Sequence, residues 1–478
     1  MDEFDFVVIG TGSGLDVANV AVNQGQSVAV VEKDAIGGTC LNRGCIPSKQ
    51  LLYHADVKTT IDRSEEFQID ASVGAVDFAG IVEAVNADVG EDSESIRRGL
   101  RSSEHHTLFE GTGRFVEDRT LEIVDGPDEG ARLRGETVLI AAGSRPAIPD
   151  IDGIEAVDYL TSREALELAA PPDHLLVVGG GYIAAELAHF FGAFGSEVTI
   201  VGRRPHLLPE ADRDVGEAFT RRYETRFTVH TGHAATAVRQ SGADFTVEAR
   251  PYSYEDSGVV EDAEPVTASG DALLVAAGRR SNADLLDVAA TGVETDDRGF
   301  VETDEYLRTT ADGVWALGDV VGEYLLKHNA NHEARTVMGN IFGEELTPVD
   351  YSVMPFAVFA HPEVAGVGAT EADLGDREYA VNTYRYEDTA RGDAMHAQGF
   401  VKVLIDLEGE ILGCHIIGPD ASALIEEVVV AMTAGSGTVA DIRESIHIHP
   451  ALPEVVQRAF SGRFHRHDGD PDHGHHHH

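Results

Sequence analysis

The chain carries one pattern twice: an apolar strand, a glycine cluster, a helix and a second apolar strand. The first copy is Val7-Val8-Ile9, then Gly10-Thr-Gly12-Ser-Gly14, a helical stretch from Leu15 to Gly25, and a strand Val28 to Val31 that ends in Glu32. The second is Leu175 to Val178, Gly179-Gly-Gly181-Tyr-Ile-Ala184, a helix to Gly195, and a strand Val198 to Val201. Uninterrupted apolar strands belong to parallel sheets covered on both faces. Glycines at the following helix N-terminus let the backbone approach a pyrophosphate. The duplication therefore predicts an α/β chain with two dinucleotide sites. In the first copy Glu32 is placed for a ribose; Leu15 fills the third glycine position and Gly14 stands one place early, which predicts looser packing of helix on strand. In the second copy Gly202, Arg203 and Arg204 stand where an acid would hold the ribose of NAD. Guanidinium groups there suit a 2′-phosphate, hence NADPH; a solvated turn is the alternative.

The segment Gly37-Gly-Thr-Cys40-Leu-Asn-Arg-Gly-Cys45-Ile-Pro-Ser-Lys49 follows the first copy. Five residues of ideal helix rise about 7.5 Å, whereas a disulfide needs its Cα atoms within roughly 7 Å. The segment is therefore expected to begin as a loop and curl into a helix, with Gly37, Gly38 and Gly44 permitting the bend. It reads as a redox-active disulfide, against a pair of ordinary thiols or half of a zinc site. Zinc would need further ligands, and the only other cysteine is Cys414, read as a core residue of a strand. No metal is expected.

Acidic residues number 83 against 36 basic ones, a formal charge of −47 spread along the whole chain. Such a balance excludes nucleic-acid binding. The surface repels itself at low salt, but molar salt shortens the screening length to about 3 Å, so a halophilic source is expected. There is no apolar run able to cross a bilayer and no secretory pattern at Met1–Phe6, and cysteine is scarce; the expected location is cytoplasmic. Residues 60–105 read as helical, with Arg97 and Arg101 on one face. The run from His473 to His478 looks like part of a purification tag.

Taken in order, these motifs resemble the flavoprotein disulfide reductases, the family of glutathione reductase, dihydrolipoamide dehydrogenase, mycothione reductase and mercuric reductase, over residues 4 to about 462. The resemblance implies an α/β fold with two Rossmann-like dinucleotide-binding domains plus a C-terminal α+β dimerisation domain. Residues 1–150 and 279–347 would form the FAD-binding and central unit, 151–278 the NADPH domain, 348–465 the dimerisation domain, and 466–478 a tail. FAD is expected at Gly10, Gly12, Gly14, Glu32, Lys33, Gly38, Thr39, Gly143, Gly318 and Asp319. NADPH is expected at Gly179, Gly181, Tyr182, Ile183, Arg203, Arg204 and Gly278.

The same resemblance assigns Cys45 to the flavin side and Cys40 to attack on the substrate, a division supported by the effect of a helix N-terminus on a thiol. Lys49, paired with Glu186, would lie near the reactive flavin edge. His449, oriented by Glu454, would be the acid/base group, supplied by the other subunit of a homodimer, with His447 a structural neighbour. The Gly10–Gly14 variant is similar to the mycothione reductase branch, and the absence of extra C-terminal cysteines argues against mercuric reductase. With the acidic surface, the expected reaction is NADPH-dependent reduction of bis-γ-glutamylcystine, a small-molecule disulfide used by haloarchaea. Arg97 and Arg101 would bind its carboxylates; pairing with Glu94 and Glu104 is their alternative. The rival functions are an NAD-dependent dihydrolipoamide dehydrogenase and a non-catalytic flavin-bound redox sensor.

Overall fold

The apolar residues 6–9 are buried because β1 (Asp2–Ile9) runs through the middle of a parallel sheet. β1 pairs with β2 (Val28–Glu32) on one side and with the strand Arg132–Ile140 on the other. β3 (His106–Glu110) extends the sheet beyond β2, and Val314–Ala316 extends it beyond residues 138–140. The computed structural model describes residues 1–255 and 257–467, so the histidine run read as a tag lies outside the described residues.

The helix α1 (Gly14–Asn23) packs closely on this sheet, contrary to the expectation drawn from Leu15. A Cβ at Gly14 would meet Ala141 Cβ at 2.7 Å and Val8 Cγ2 at 2.8 Å. The glycine that close packing requires is therefore Gly14 itself. The helical stretch expected over 60–105 is also interrupted. α2 (Gly38–Arg43) and α3 (Cys45–Asp62) come first, residues 68–77 form no regular element, and α4 (Phe78–Ser102) starts where the Asp77 carboxylate accepts from Gly80 N at 3.0 Å. That carboxylate satisfies one of the free amide groups of the first turn.

A second parallel sheet carries the other glycine cluster, in the order 228–231, 197–202, 174–178, 272–275. An antiparallel sheet of residues 233–241, 244–253 and 266–270 adjoins it. The chain passes between the two units at Ser144–Pro146 and Arg279–Ser281, which pair as an antiparallel ribbon. The C-terminal unit is a six-stranded antiparallel sheet that buries Cys414 completely. Its edge strand is His465–His467, paired with Tyr379–Arg385, so the tail expected from residue 466 starts inside a strand.

One apolar cluster spans all three units. It contains Leu51, Leu52 and Ala55 of α3, Ala184 and Phe190 of the second unit, and Val358 and Ile417 of the third. The helix that starts at Cys45 is thus clamped between units through Leu51, Leu52 and Ala55.

Candidate active site

Cys40 sits inside α2 and Cys45 is the first residue of α3, so the expected loop-then-helix is instead a helix, a break and a second helix. Gly44 makes the break. A Cβ there would lie 2.8 Å from Thr39 O and 3.2 Å from Cys40 Cα, so any larger residue would push the two helices apart. Pro47, in the first turn of α3, removes an amide that has no helical partner there.

Both thiols are free in this structure. Hydrogen bonding from the Cys40 side chain, with the Lys49 ammonium, brings the Cys45 thiol down to about 6 against the opposing effect of burial. The same bond and burial push the Cys40 thiol far up. The N-terminus of an 18-residue helix adds to the stabilisation of a Cys45 thiolate. Lys49 is held by Glu186, whose carboxylate oxygens accept from Nζ at 2.8 and 2.7 Å. Glu186 also accepts from Phe359 N at 3.0 Å, and Lys49 Nζ lies 5.0 Å from the Phe359 ring centre.

From the cysteines a cleft of about 620 Å³ runs to the C-terminal ends of β1 and β2. It is lined by Gly10, Gly12, Glu32, Lys33, Gly38, Thr39, Gly143, Gly318 and Asp319, and at the reactive end by Cys40, Cys45, Lys49, Tyr182, Ile183 and Glu186. Gly14 buttresses the helix behind it, whereas Gly179, Gly181, Gly278, Arg203 and Arg204 belong to the second unit, outside this cleft. Burial pushes the Tyr182 phenol up to about 12, which keeps it neutral at the mouth between the units.

The lining fits a flavin dinucleotide. A Cβ at Gly38 would lie 2.8 Å from Gly12 Cα, so the redox segment rests on the glycine turn with no side chain in the groove. One Glu32 oxygen accepts from Thr11 N at 2.9 Å and Thr11 Oγ1 at 2.6 Å, and the other accepts from Asp34 N at 3.0 Å. The carboxylate is thereby fixed at the cleft wall, where a ribose would lie. At the other end Asp319 accepts from Ser144 Oγ at 2.6 Å, and that hydroxyl accepts from Arg279 Nε at 2.7 Å. When bound, FAD supplies two-electron transfer between a pyridine nucleotide and the sulfurs.

Several of these partners were not visible in the sequence. Arg279 and Ser144 follow the two similar runs Ala276-Ala-Gly278 and Ala141-Ala-Gly143, a repetition that could have marked them. Glu333 is fully buried and holds the Gly318–Asp319 turn by accepting from Gly318 N at 2.5 Å and from Tyr351 Oη at 2.7 Å. Lys327 lines the cleft and donates to Ser13 Oγ at 2.7 Å.

His449 and Glu454 come together as expected: Nδ1 lies 3.0 Å from Glu454 Oε1, and this contact holds the carboxyl below its usual range. His447 Nε2 lies 3.0 Å from Glu427 Oε2. His449 does not line the cleft that holds Cys40 and Cys45. Its side chain is 72% exposed.

Arg97 and Arg101 do share a face of α4, but that face meets Glu110 at the end of β3. Arg97 also pairs with Glu94 at 3.4 Å, and neither arginine lines the cleft. The structure does not bring them to the cysteines.

A thiol pair polarised at a helix N-terminus, at the end of a dinucleotide cleft, defines a flavoprotein disulfide reductase. The chain belongs to the pyridine nucleotide-disulphide oxidoreductase family, whose profile matches residues 4–334, with the family's dimerisation domain matching residues 354–460. Mycothione reductase of Mycobacterium tuberculosis is 38% identical over 480 residues, covering 97% of this chain and all of that protein. Dihydrolipoyl dehydrogenase of Haloferax volcanii is 36% identical over 471 residues, covering 95% of each. The solved structure of the HOCl-induced flavoprotein disulfide reductase RclA from Escherichia coli superposes with a TM-score of 0.83 at 26% identity, covering 96% of this chain and 99% of that one. Membership implies FAD and a pyridine nucleotide as cofactors. No described helix is long and apolar enough to cross a membrane.

Proposed function

We propose that the protein is an NADPH-dependent reductase of bis-γ-glutamylcystine, acting as a cytoplasmic homodimer with shared active sites in a halophilic cell. The observation that carries disulfide reduction is the placement of the pair: Cys40 in α2 and Cys45 as the first residue of α3 line one end of the cleft together with Lys49, which Glu186 holds. In the proposed sequence His449 takes the Cys40 proton, Cys40 attacks one substrate sulfur, and the substrate S–S bond breaks as a mixed disulfide forms. The departing thiolate takes the proton back from His449. Cys45 then attacks the Cys40 sulfur, releasing the second thiolate, which takes a proton from solvent, and leaving a Cys40–Cys45 disulfide. Two electrons and one proton, together the hydride of NADPH, restore the starting pair of Cys40 thiol and Cys45 thiolate.

Sharing of the site between subunits is supported by the surroundings of His449. Ile446 is 101% exposed and Ile448 is 78% exposed. Two bare isoleucines beside a histidine that misses its own cleft are explained by a second copy of the chain packed over them. Replacing His449 with alanine is expected to slow disulfide turnover about 10²- to 10⁴-fold while leaving single-turnover reduction of the flavin by nicotinamide nucleotide intact. Unchanged turnover would remove His449 from the mechanism.

NADPH is favoured by Arg203 and Arg204 in place of an acid. A small-thiol disulfide is favoured by the likeness to mycothione reductase, and γ-glutamylcysteine by an acidic surface suited to molar salt. The deciding assay offers bis-γ-glutamylcystine, glutathione disulfide, cystine and lipoamide, each with NADPH and NADH, in molar salt. The tetra-acid with NADPH is expected to give the highest kcat/KM. Faster turnover of lipoamide, or a preference for NADH, would overturn the reading.

A further inference from the structure

Arg203 and Arg204 leave the strand Glu197–Gly202 exposed, yet both are held by an element the glycine fingerprint does not require. The strand Asp244–Ser253 continues into a hairpin in which Tyr252 pairs with Val259. Tyr252, near the end of the strand, and Tyr254, in the turn after it, both face the arginines. The Arg203 guanidinium lies 5.2 Å from the Tyr252 ring centre, and the Arg204 guanidinium 5.4 Å from that of Tyr254. The rings brace each other edge to face at 5.0 Å.

The main chain is tied down as well. Tyr254 Oη donates to Arg203 O at 2.9 Å. Gly232 N donates to Arg204 O at 2.8 Å, and Gly232 O accepts from Tyr252 N at 2.9 Å. Among the described residues no carboxylate lies within ion-pair distance of either guanidinium, in a chain with 83 acidic residues. Among the described residues, the two cations are thus fixed in place with no carboxylate partner.

We propose that Tyr252 and Tyr254 are positioning residues that set the preference for a 2′-phosphorylated nicotinamide nucleotide, by holding Arg203 and Arg204 ready for that phosphate. The inference rests on the NADPH reading above. An arginine side chain loses rotamer freedom when it closes on an anion, and stacking it beforehand removes that cost from the binding step. A nucleotide without the 2′-phosphate gains nothing from the arrangement, so the effect is confined to the phosphorylated cofactor.

The test compares the parent enzyme with Tyr254→Phe and with the double variant Tyr252→Leu/Tyr254→Leu, all loaded with FAD. Each stacked ring is worth a factor of about 2 to 5, so the double variant should raise KM for NADPH roughly 10-fold with kcat and KM for NADH unchanged. Tyr254→Phe keeps the ring, loses the hydrogen bond to Arg203 O, and should raise it about 2- to 5-fold. Binding of 2′,5′-ADP should weaken in parallel while binding of 5′-AMP stays constant. If the parent prefers NADPH but the double variant keeps the full preference, or if both nucleotides weaken together, the positioning role fails alone. If the parent itself prefers NADH, or binds 2′,5′-ADP no better than 5′-AMP, the NADPH reading fails and takes this inference with it.

Discussion

Serine in place of Cys40 is expected to stop disulfide turnover, by at least about 10³-fold, while flavin reduction by nicotinamide nucleotide continues. The reason is the division of labour between the sulfurs. Cys45 holds the stable thiolate, at about 6, and Cys40 holds the proton that the attack on substrate must first release. The first cause of the low Cys45 value is the hydrogen bond from Cys40, and the Lys49 charge opposes burial in the same direction. A serine hydroxyl can still donate that bond, whereas alanine cannot. Removing a bond that stabilises the thiolate raises the thiol toward its ordinary value of about 8.5. Thiolate absorbance of the reduced protein should therefore rise near pH 6 in the parent and in Cys40→Ser, and at clearly higher pH in Cys40→Ala. A Cys45 that titrates at the same pH in all three proteins would contradict the geometry, and surviving turnover in Cys40→Ser would reverse the assignment.

The parts of this site that were legible in the sequence are those encoded at short range. A glycine cluster between strand and helix, two cysteines around Gly44, and a histidine five residues before a glutamate each carry their geometry within one or two turns. Ser144, Arg279 and Asp319 meet only because the chain leaves the first sheet after Ile140 and returns by a paired ribbon, which no local pattern specifies. Arg97 and Arg101 show the complementary limit. Helical spacing established that they share a face, but what that face meets is decided by β3, and Glu110 waits there. Leu15 misled for a different reason: the motif counts positions, whereas packing asks only for a glycine where helix crosses strand, and Gly14 meets that need.

Lysine is rare in the composition, and its rarity already set Lys49 apart from an ordinary surface residue. The chain has five lysines, and Lys33, Lys49 and Lys327 all line the cleft. Lys49 and Lys327 each have fixed partners there, Glu186 and Ser13, and Lys402, in the apolar run Val401-Lys402-Val403, is likewise held by specific partners.

Lys402→Met is expected to cause the largest loss of stability of any single change outside the site. Lys402 projects from the strand Phe400–Ile405 of the C-terminal unit and is 1% exposed. Its Nζ donates to Asp212 Oδ1 at 2.7 Å, Asp214 Oδ2 at 2.7 Å and Glu371 Oε2 at 2.5 Å. Asp212 is fully buried, caps the helix Arg213–Glu224 by accepting from Asp214 N at 3.1 Å, and accepts from Glu371 N at 3.2 Å. One ammonium therefore fastens the second unit to the third.

Burial alone would push the Lys402 ammonium down, but Asp212 and Asp214 outweigh it and its pKa is raised; burial would push Asp212 up, but Lys402 outweighs it and Asp212 is lowered. A raised lysine contributes stability that is full below its unfolded value of about 10.4 and lost as pH rises through the folded one. A lowered aspartate contributes stability present above about 3.9 and lost as pH falls through the folded value. The fastening is intact across the range between. Removing the lysine strands a buried carboxylate, and breaking such a pair typically costs about 3 to 5 kcal/mol. The exposed Arg213–Glu217 pair, with an arginine 75% exposed, should contribute only about 0.3–0.5 kcal/mol and should fade in molar salt. Thermal unfolding of Lys402→Met and Arg213→Ala in low and molar salt separates the two kinds of contact. The Lys402 deficit should persist in molar salt, and Asp212→Asn added to Lys402→Met should cost less than the sum of the two alone. A Lys402→Met protein that unfolds with the parent, or whose deficit vanishes in salt as the surface pair's does, would show that the units are held together by their shared apolar cluster alone.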